Sequence, residues 1–378
     1  MVPGMMQREV HLHSTARPPR LGRTLALLAG VVLTLHLAAA AYAHHAGTPS
    51  RLPLKAIYGP LTMPDGSSAF PVYHTLGVQV LELQLNWREV APTRPGEASD
   101  PGDPAYRWPA SLQGTIAESA RYGVQLALVV EGFPAWSNGG RGPAWAPNDP
   151  QDFASFLEAA SRRYPSVRHW LILNEVNYAL NFQPLPPRSP VGPERYARLL
   201  DAAYGALKGV SPANLVIGGM TYSAGTIPAP TYIRWMRLPD GAPPRMDDYG
   251  YNPYSTRYPR LDRRPYSPDA YEINDIGALH RELTGIYRRH GYVPKLWLSE
   301  FGISDSASSA FDYYVSPPVQ ARWVTAAFRL VDSTSYVAAL GWYELLDQAA
   351  PPANPLTEGL MTASGRPKPS FSAYAAAP

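Results

Sequence analysis

Eight short apolar runs recur along the chain, and stretches of helical periodicity lie between most of them. The runs are Lys55–Tyr58, Val78–Leu85, Val124–Glu131, Arg168–Asn174, Leu215–Met220, Asp247–Tyr251, Lys295–Glu300 and Val337–Tyr343. Between them come "DFASFLEAASRRY" after the helix-opening "NDP", then "PERYARLLDAAYGALKGV", "GALHRELTGIYRRH" and "VQARWVTAAFRLVD". Alternation of strand and helix over this length argues for parallel strands, and eight repeats point to an α/β fold, a single (β/α)8 barrel.

The connections are unequal. Links from helix back to strand are short, as at Tyr122 and Gly123, whereas links from strand to helix are long and rich in Gly, Pro, Asn and aromatics: "FPAWSNGGRGPAWAPNDP", "NYALNFQPLPPRSPVG", "NPYSTRYPRLDRRPYSPDAY", "LLDQAAPPANPLTEG". An α/β barrel builds its active site from the loops at the carboxyl ends of its strands, so the thickened face is where chemistry is expected. No linker divides the chain after the first strand, and one barrel domain is expected over residues 55–378.

Residues 1–43 read as an export signal. Arg17, Arg20 and Arg23 precede the uncharged run Thr24–Ala43, which ends on the A-x-A site Ala41, Tyr42, Ala43. The alternative is an uncleaved membrane anchor, since 20 uncharged residues are long enough to span a bilayer. Cleavage would remove four arginines and one glutamate from the 33 basic and 30 acidic residues, leaving 29 of each. The mature chain, with a short polar linker at residues 44–54, is then formally neutral and has no charge excess for nucleic acid or an anionic membrane surface. The absence of cysteine excludes disulfides, thiolate metal sites and cysteine nucleophiles. No metal or cofactor is called for.

Two strands end in glutamate where the run turns polar, at "WLILNEVNY" and "KLWLSEFGIS". Parallel barrel strands deliver their last residues to one rim, so Glu175 and Glu300 can face each other across a substrate. Glycoside cleavage needs such a pair, one carboxyl to protonate the leaving oxygen and one to meet an oxocarbenium-like centre. The motifs of the common serine hydrolases, nucleotide-binding loops and zinc proteases do not occur.

Asn174–Glu175 after strand four and Glu300 after strand seven resemble the clan A glycoside hydrolases, nearest to the family 39 and family 5 type. "LGVQVLELQLNWREVAP", "FPAWSNG", "YNPY", "LGWYELLD" and "GLMTASGRPKPSFSAY" extend the likeness over most of the mature chain. The resemblance implies an exported, retaining O-glycosidase cleaving a β-linked glycan with no cofactor. Glu175 would be the acid/base, Glu300 the nucleophile, and Asn174 the donor to a sugar 2-hydroxyl. Tyr254 would lie near the nucleophile and Trp342 would floor the reacting subsite, with Trp136, Trp87, Asn86 and Asn252 as further substrate contacts. The chemistry requires Glu175 protonated and Glu300 ionised.

The sequence departs from that family in three places. It has "NEV" where "NEP" is common, Tyr251 and Asn252 where a histidine is common in the sixth-strand turn, and Glu82 near the place of a second-strand arginine. The rival readings are a catalytically silent barrel that binds extracellular polysaccharide, and a transglycosylase. Trp342 and Trp136 have a plainer alternative as core aromatics, and His169 is expected to be packed in the core.

Overall fold

The computed structural model describes residues 52–307, 313–348 and 355–378; residues 1–43, read above as an export signal, and most of the linker, residues 44–51, lie outside them. Eight parallel strands close into a barrel in sequence order. They are β1 (Leu54–Tyr58), β2 (Val80–Asn86), β3 (Gln125–Glu131), β4 (His169–Ile172), β5 (Leu215–Tyr222), β6 (Asp248–Asn252), β7 (Lys295–Phe301) and β8 (Val337–Trp342). Closure runs through β1 and β8, with Ile57 opposite Trp342. The helices that follow the strands in turn are α1 (Phe70–Leu76), α2 (Ala110–Arg121), α3 (Pro150–Arg163), α4 (Val191–Val210), α5 (Ala229–Trp235), α6 (Ile276–Tyr287), α7 (Pro317–Asp332) and α8 (Pro369–Ala375). Among the described residues no helix is long and apolar enough to cross a membrane.

The pleat sorts side chains into two cores. Ala56, Tyr58, Val80, Ala127, Val129, Leu171 and Trp297 fill the barrel, with His169 against the Trp297 ring. Alternate residues such as Ile57, Leu81, Leu128 and Leu298 face the helices. The helices are specified locally. In α3 the Asp149 side chain accepts from the Gln151 amide, a proline sits in the first turn, and Arg162 and Arg163 close the last. Its Phe153, Phe156 and Leu157 are buried on one face.

Four strand ends correct the sequence reading in a way that shapes the mouth. β4 stops at Ile172 rather than Asn174, because Leu173 (φ 68°) and Glu175 (φ 48°) turn the backbone left-handed. β5 runs on to Tyr222 through a register shift between Gly218 and Thr221, and β6 runs on to Asn252. β7 extends to Phe301 with a shift between Leu298 and Phe301.

Candidate active site

Glu175 lies in a turn that two anchors hold. The Val176 amide donates to the Met220 carbonyl at 3.0 Å. The buried Asn177 donates through Nδ2 to the carbonyls of Tyr222 (3.0 Å) and Ile227 (3.1 Å) and accepts from the Tyr222 amide at 2.9 Å. These bonds hold Leu173 and Glu175 in a conformation that costs a non-glycine residue about 1–3 kcal/mol. The result is a half-buried carboxylate aimed into the mouth, where Glu175 and Glu300 line two cavities, one shared with Tyr58 and Glu344 and one with Tyr254 and Glu358.

Glu300 arrives by a different device. In β7 the pleat sends Trp297 and Ser299 inward and Leu296 and Leu298 outward, so strict alternation would turn Glu300 toward the helices. The register shift returns Phe301 to the outer layer and leaves Glu300 at the mouth, 7% exposed.

The two glutamates share a network of amides and a phenol. Asn174 Nδ2 donates to Glu300 Oε1 at 2.9 Å, and Tyr254 Oη donates to Glu300 Oε2 at 3.0 Å. Asn252 Nδ2 lies 3.2 Å from Asn174 Oδ1 and 3.3 Å from Glu175 Oε1, while Asn181 Nδ2 reaches Glu175 Oε2 at 3.4 Å. Asn252 thus ties the two halves together from the end of β6.

Burial raises both carboxyls. Glu175 is moved upward by desolvation and partly restored by the Asn252 hydrogen bond. Glu300 is pushed up to about 8, first by burial and then by the charge of Glu175, against the pull of Tyr254 and Asn174. The sequence reading expected an ionised Glu300; against the upward push of burial the structure gives it two donors suited to the ionised form, and among the described residues no salt-bridge partner. Glu82, which the sequence reading set near the place of an arginine common in the family it resembles, lies inside the barrel. There it accepts from Trp297 Nε1 at 2.9 Å and Ser299 Oγ at 2.6 Å, and burial lifts it to about 7. Tyr251, in the sixth-strand position, is buried and donates to the Tyr271 carbonyl, so it does not replace the missing histidine.

Three aromatic expectations are corrected. Trp342 is fully buried against Phe301 in the helix-facing layer, its Nε1 donating to the Glu358 carbonyl at 2.9 Å. It supports the mouth from beneath, and Tyr343, the next residue, is the aromatic that lines both cavities. Trp87 is fully buried and stacks on Phe156. Trp136 packs edge-on against Trp87, with Nε1 on the Ala91 carbonyl and the Arg94 guanidinium over its ring. Asn86 caps the turn Trp87–Val90 by accepting from the Glu89 amide, and is not among the cavity-lining residues. The plainer alternative, a core aromatic, is therefore the one found for Trp342, while Trp136 is half-buried at the edge of the core and lines neither cavity.

Sequence reasoning missed Tyr58, Tyr343, Glu344 and Glu358, all at the mouth. Tyr343 and Glu344 directly follow β8, so the rule that barrel strands end in functional residues could have found them. Glu358 comes from far along the β8–α8 connection and had no such signal.

No protein-family model matches the sequence, and no curated protein matches it. Solved structures match by fold. A family 39 glycoside hydrolase from the gut symbiont Bacteroides cellulosilyticus WH2 superposes with a TM-score of 0.62 at 18% identity, over 86% of this chain and 63% of that one. A glucosidase from Croceicoccus marinus gives 0.61 at 16% identity over 86% and 66%. A family 39 β-xylosidase from Caulobacter crescentus gives 0.57 at 18% identity over 87% and 72%. The chain spans less than two thirds of the length of the first two. Likeness at this identity establishes a shared (β/α)8 fold.

Proposed function

We propose that this protein is a retaining glycoside hydrolase that cleaves a β-linked glycan through Glu175 and Glu300. The observation that carries the reading is the hydrogen bond from Asn174 to Glu300 in a cleft that Glu175 also lines. It joins the ends of two non-adjacent strands, four and seven, into one constellation of two carboxyls. The fold shared with family 39 hydrolases supports the same conclusion.

Chemically, Glu175 in its protonated form gives a proton to the leaving oxygen, while a Glu300 oxygen attacks the anomeric carbon. The bond to the leaving group breaks as the glycosyl-ester bond forms. Glu175, now ionised, takes a proton from water, and that water displaces Glu300 to return the original configuration. Asn174 and Tyr254 fix both Glu300 oxygens and favour the ionised nucleophile.

Azide distinguishes the two roles. Glu300→Ala should block the first step, and added azide should yield a glycosyl azide of inverted configuration. Glu175→Ala should spare substrates with good leaving groups in that step, and azide should then release a product of retained configuration. Exchange of the two outcomes would reverse the assignment.

A second reading, a barrel that binds glycan without turnover, draws on Glu82 near the place of that arginine and on a Glu300 pushed up to about 8. Binding unaffected by Glu175→Ala, with no hydrolysis, would favour it. We further propose, from the basic and apolar segment before Ala43, that the protein acts outside the cytoplasm. Mass spectrometry of extracellular material should find a chain beginning near His44, and an intact N-terminus in a membrane fraction would make the segment an anchor.

A further inference from the structure

The mouth carries more carboxyl groups than two-carboxylate hydrolysis requires. Glu175, Glu300 and Tyr343 line a cavity of about 720 Å³ together with Glu358, and line a second of about 330 Å³ together with Glu344. No lysine, arginine or histidine lines either cavity. The sequence segments 308–312 and 349–354 contain no basic residue either. The cation whose charge acts on Glu358 is Lys368, and its ammonium already lies 2.8 Å from each of Asp305 and Asp347. Glu344 has only a neutral partner, the Gln348 amide.

Glu358 is the anomaly. Its residue is 3% exposed, and its Oε2 is buried with no hydrogen-bond partner, although the side chain faces the larger cavity. A buried carboxyl atom without a partner is costly, and it is normally answered by a donor. The backbone is shaped to keep it there: a Cβ on Gly302 would come within 2.4 Å of the Tyr343 carbonyl oxygen and 3.3 Å of Glu358 Cβ and Cδ. Trp342 holds the Glu358 carbonyl from below. Among the described residues the fold therefore brings a carboxyl with one unpartnered oxygen up to the nucleophile, and no cation lines either cavity.

We propose that the missing cation arrives with the substrate: the mouth takes a β-linked glycan bearing a free amino group, with the Glu358 carboxylate as the counter-ion of its ammonium. This rests on the glycosidase reading and narrows its substrate class to amino sugars. The same lining disfavours uronic acids, whose carboxylate would find carboxyls and no cation there among the described residues. Neutral sugars would leave the Glu358 oxygen with at best a hydroxyl donor. An ammonium also favours the ionised form of Glu300, the form that attacks, because an opposite charge within a few ångströms stabilises a carboxylate.

Binding and hydrolysis of p-nitrophenyl β-glycosides test this on the intact chain and on Glu358→Gln. The set is the glucosaminide, the galactosaminide, their N-acetylated forms, the glucoside, the galactoside and the glucuronide, titrated by NMR near neutral pH. One or both free amines should bind at least about tenfold more tightly than the matching hydroxyl and N-acetyl compounds, the scale of a charge-assisted hydrogen bond. In Glu358→Gln that ratio should collapse toward one. Equal binding of amine and hydroxyl, tighter binding of the glucuronide or the N-acetyl sugar, a ratio that survives Glu358→Gln, or no binding of any member would each overturn the proposal. Hydrolysis separates the two readings. Amine selectivity that depends on Glu358 without turnover would keep the amino-sugar site and reject the glycosidase. Turnover of neutral sugars without amine selectivity would do the reverse.

Discussion

Tyr254 is where one atom controls the chemistry most directly. Its hydroxyl is held strongly protonated by burial beside Glu300, so it acts as a donor to Glu300 Oε2 at 3.0 Å. Tyr254→Phe removes a bond that favours the ionised carboxylate, so the Glu300 pKa should rise further. The acid limb of the kcat/KM profile, which reports the nucleophile losing its proton, should then move upward by about one pH unit. A limb that moves down or stays in place would mean that Tyr254 only shapes the cleft. Glu175→Gln should lower kcat/KM about 10²–10⁴-fold for substrates with poor leaving groups and much less for activated aryl glycosides. The placement of both glutamates at the mouth was legible from apolar runs that turn polar at a strand end, though Glu300 gets there only through the register shift of β7, which no sequence pattern recorded; Asn174 and Tyr254 were suggested by the family resemblance alone. Trp342 and Trp87 were misplaced for another reason: a tryptophan at a strand end fits a sugar platform or the helix-facing layer equally well, and only the pleat parity decides.

Among the elements, the β6–α6 connection has the most exacting task, since it carries Tyr254 and must hold its shape through a long polar stretch. Arg257 organises it, donating through Nε to Glu272 at 2.6 Å, through Nη1 to Asp262 at 2.8 Å and through Nη2 to Asp275 at 2.8 Å. Ser255 adds a bond to Glu272 at 2.6 Å. The arginine is partly exposed but the Asp275 side chain is wholly buried, so Arg257→Ala strands a buried carboxylate. Urea unfolding should show a loss of about 3 kcal/mol, and KM should rise as Tyr254 loses its support. A change within about 0.5 kcal/mol, the range of an ordinary surface substitution, would show that water replaces the arginine. In the sequence this arginine gave no sign of its role, because its three partners lie up to 18 residues away and only the folded loop gathers them. Every strand was legible to within two residues at each end, including β4. There the apolar run continues to Leu173 while the backbone has already turned, a change of φ that hydrophobicity does not record.

The whole molecule is formally neutral once residues 1–43 are set aside, yet its buried ionisable groups are mostly acids, and this makes its stability depend on pH in a defined direction. Burial lifts Glu82, Asp248 and Glu344 to about 7, and lifts Glu300 and Glu358 to about 8. Each is raised above its unfolded value, so the folded chain keeps protons that the unfolded chain has released. The stability these groups contribute is complete below the unfolded values and is lost as pH climbs through 7 and 8. His169 works the other way: burial lowers it to about 4, so folding must exclude a proton that the unfolded imidazole takes up below its usual value of 6.5. Its effect is confined to the acid side. Between about pH 6.5 and about pH 8.5 the carboxyls act without that opposition, and unfolding free energy should fall, with Glu300 and Glu358 each contributing up to about 1.4 kcal/mol per pH unit. Glu358→Gln removes one of those protons, so urea unfolding of the variant should give a visibly shallower slope across the same interval. A stability that rises from pH 6.5 to 8.5, or a slope untouched by Glu358→Gln, would mean that the mouth is ionised throughout and that its carboxyls find counter-charges in solution.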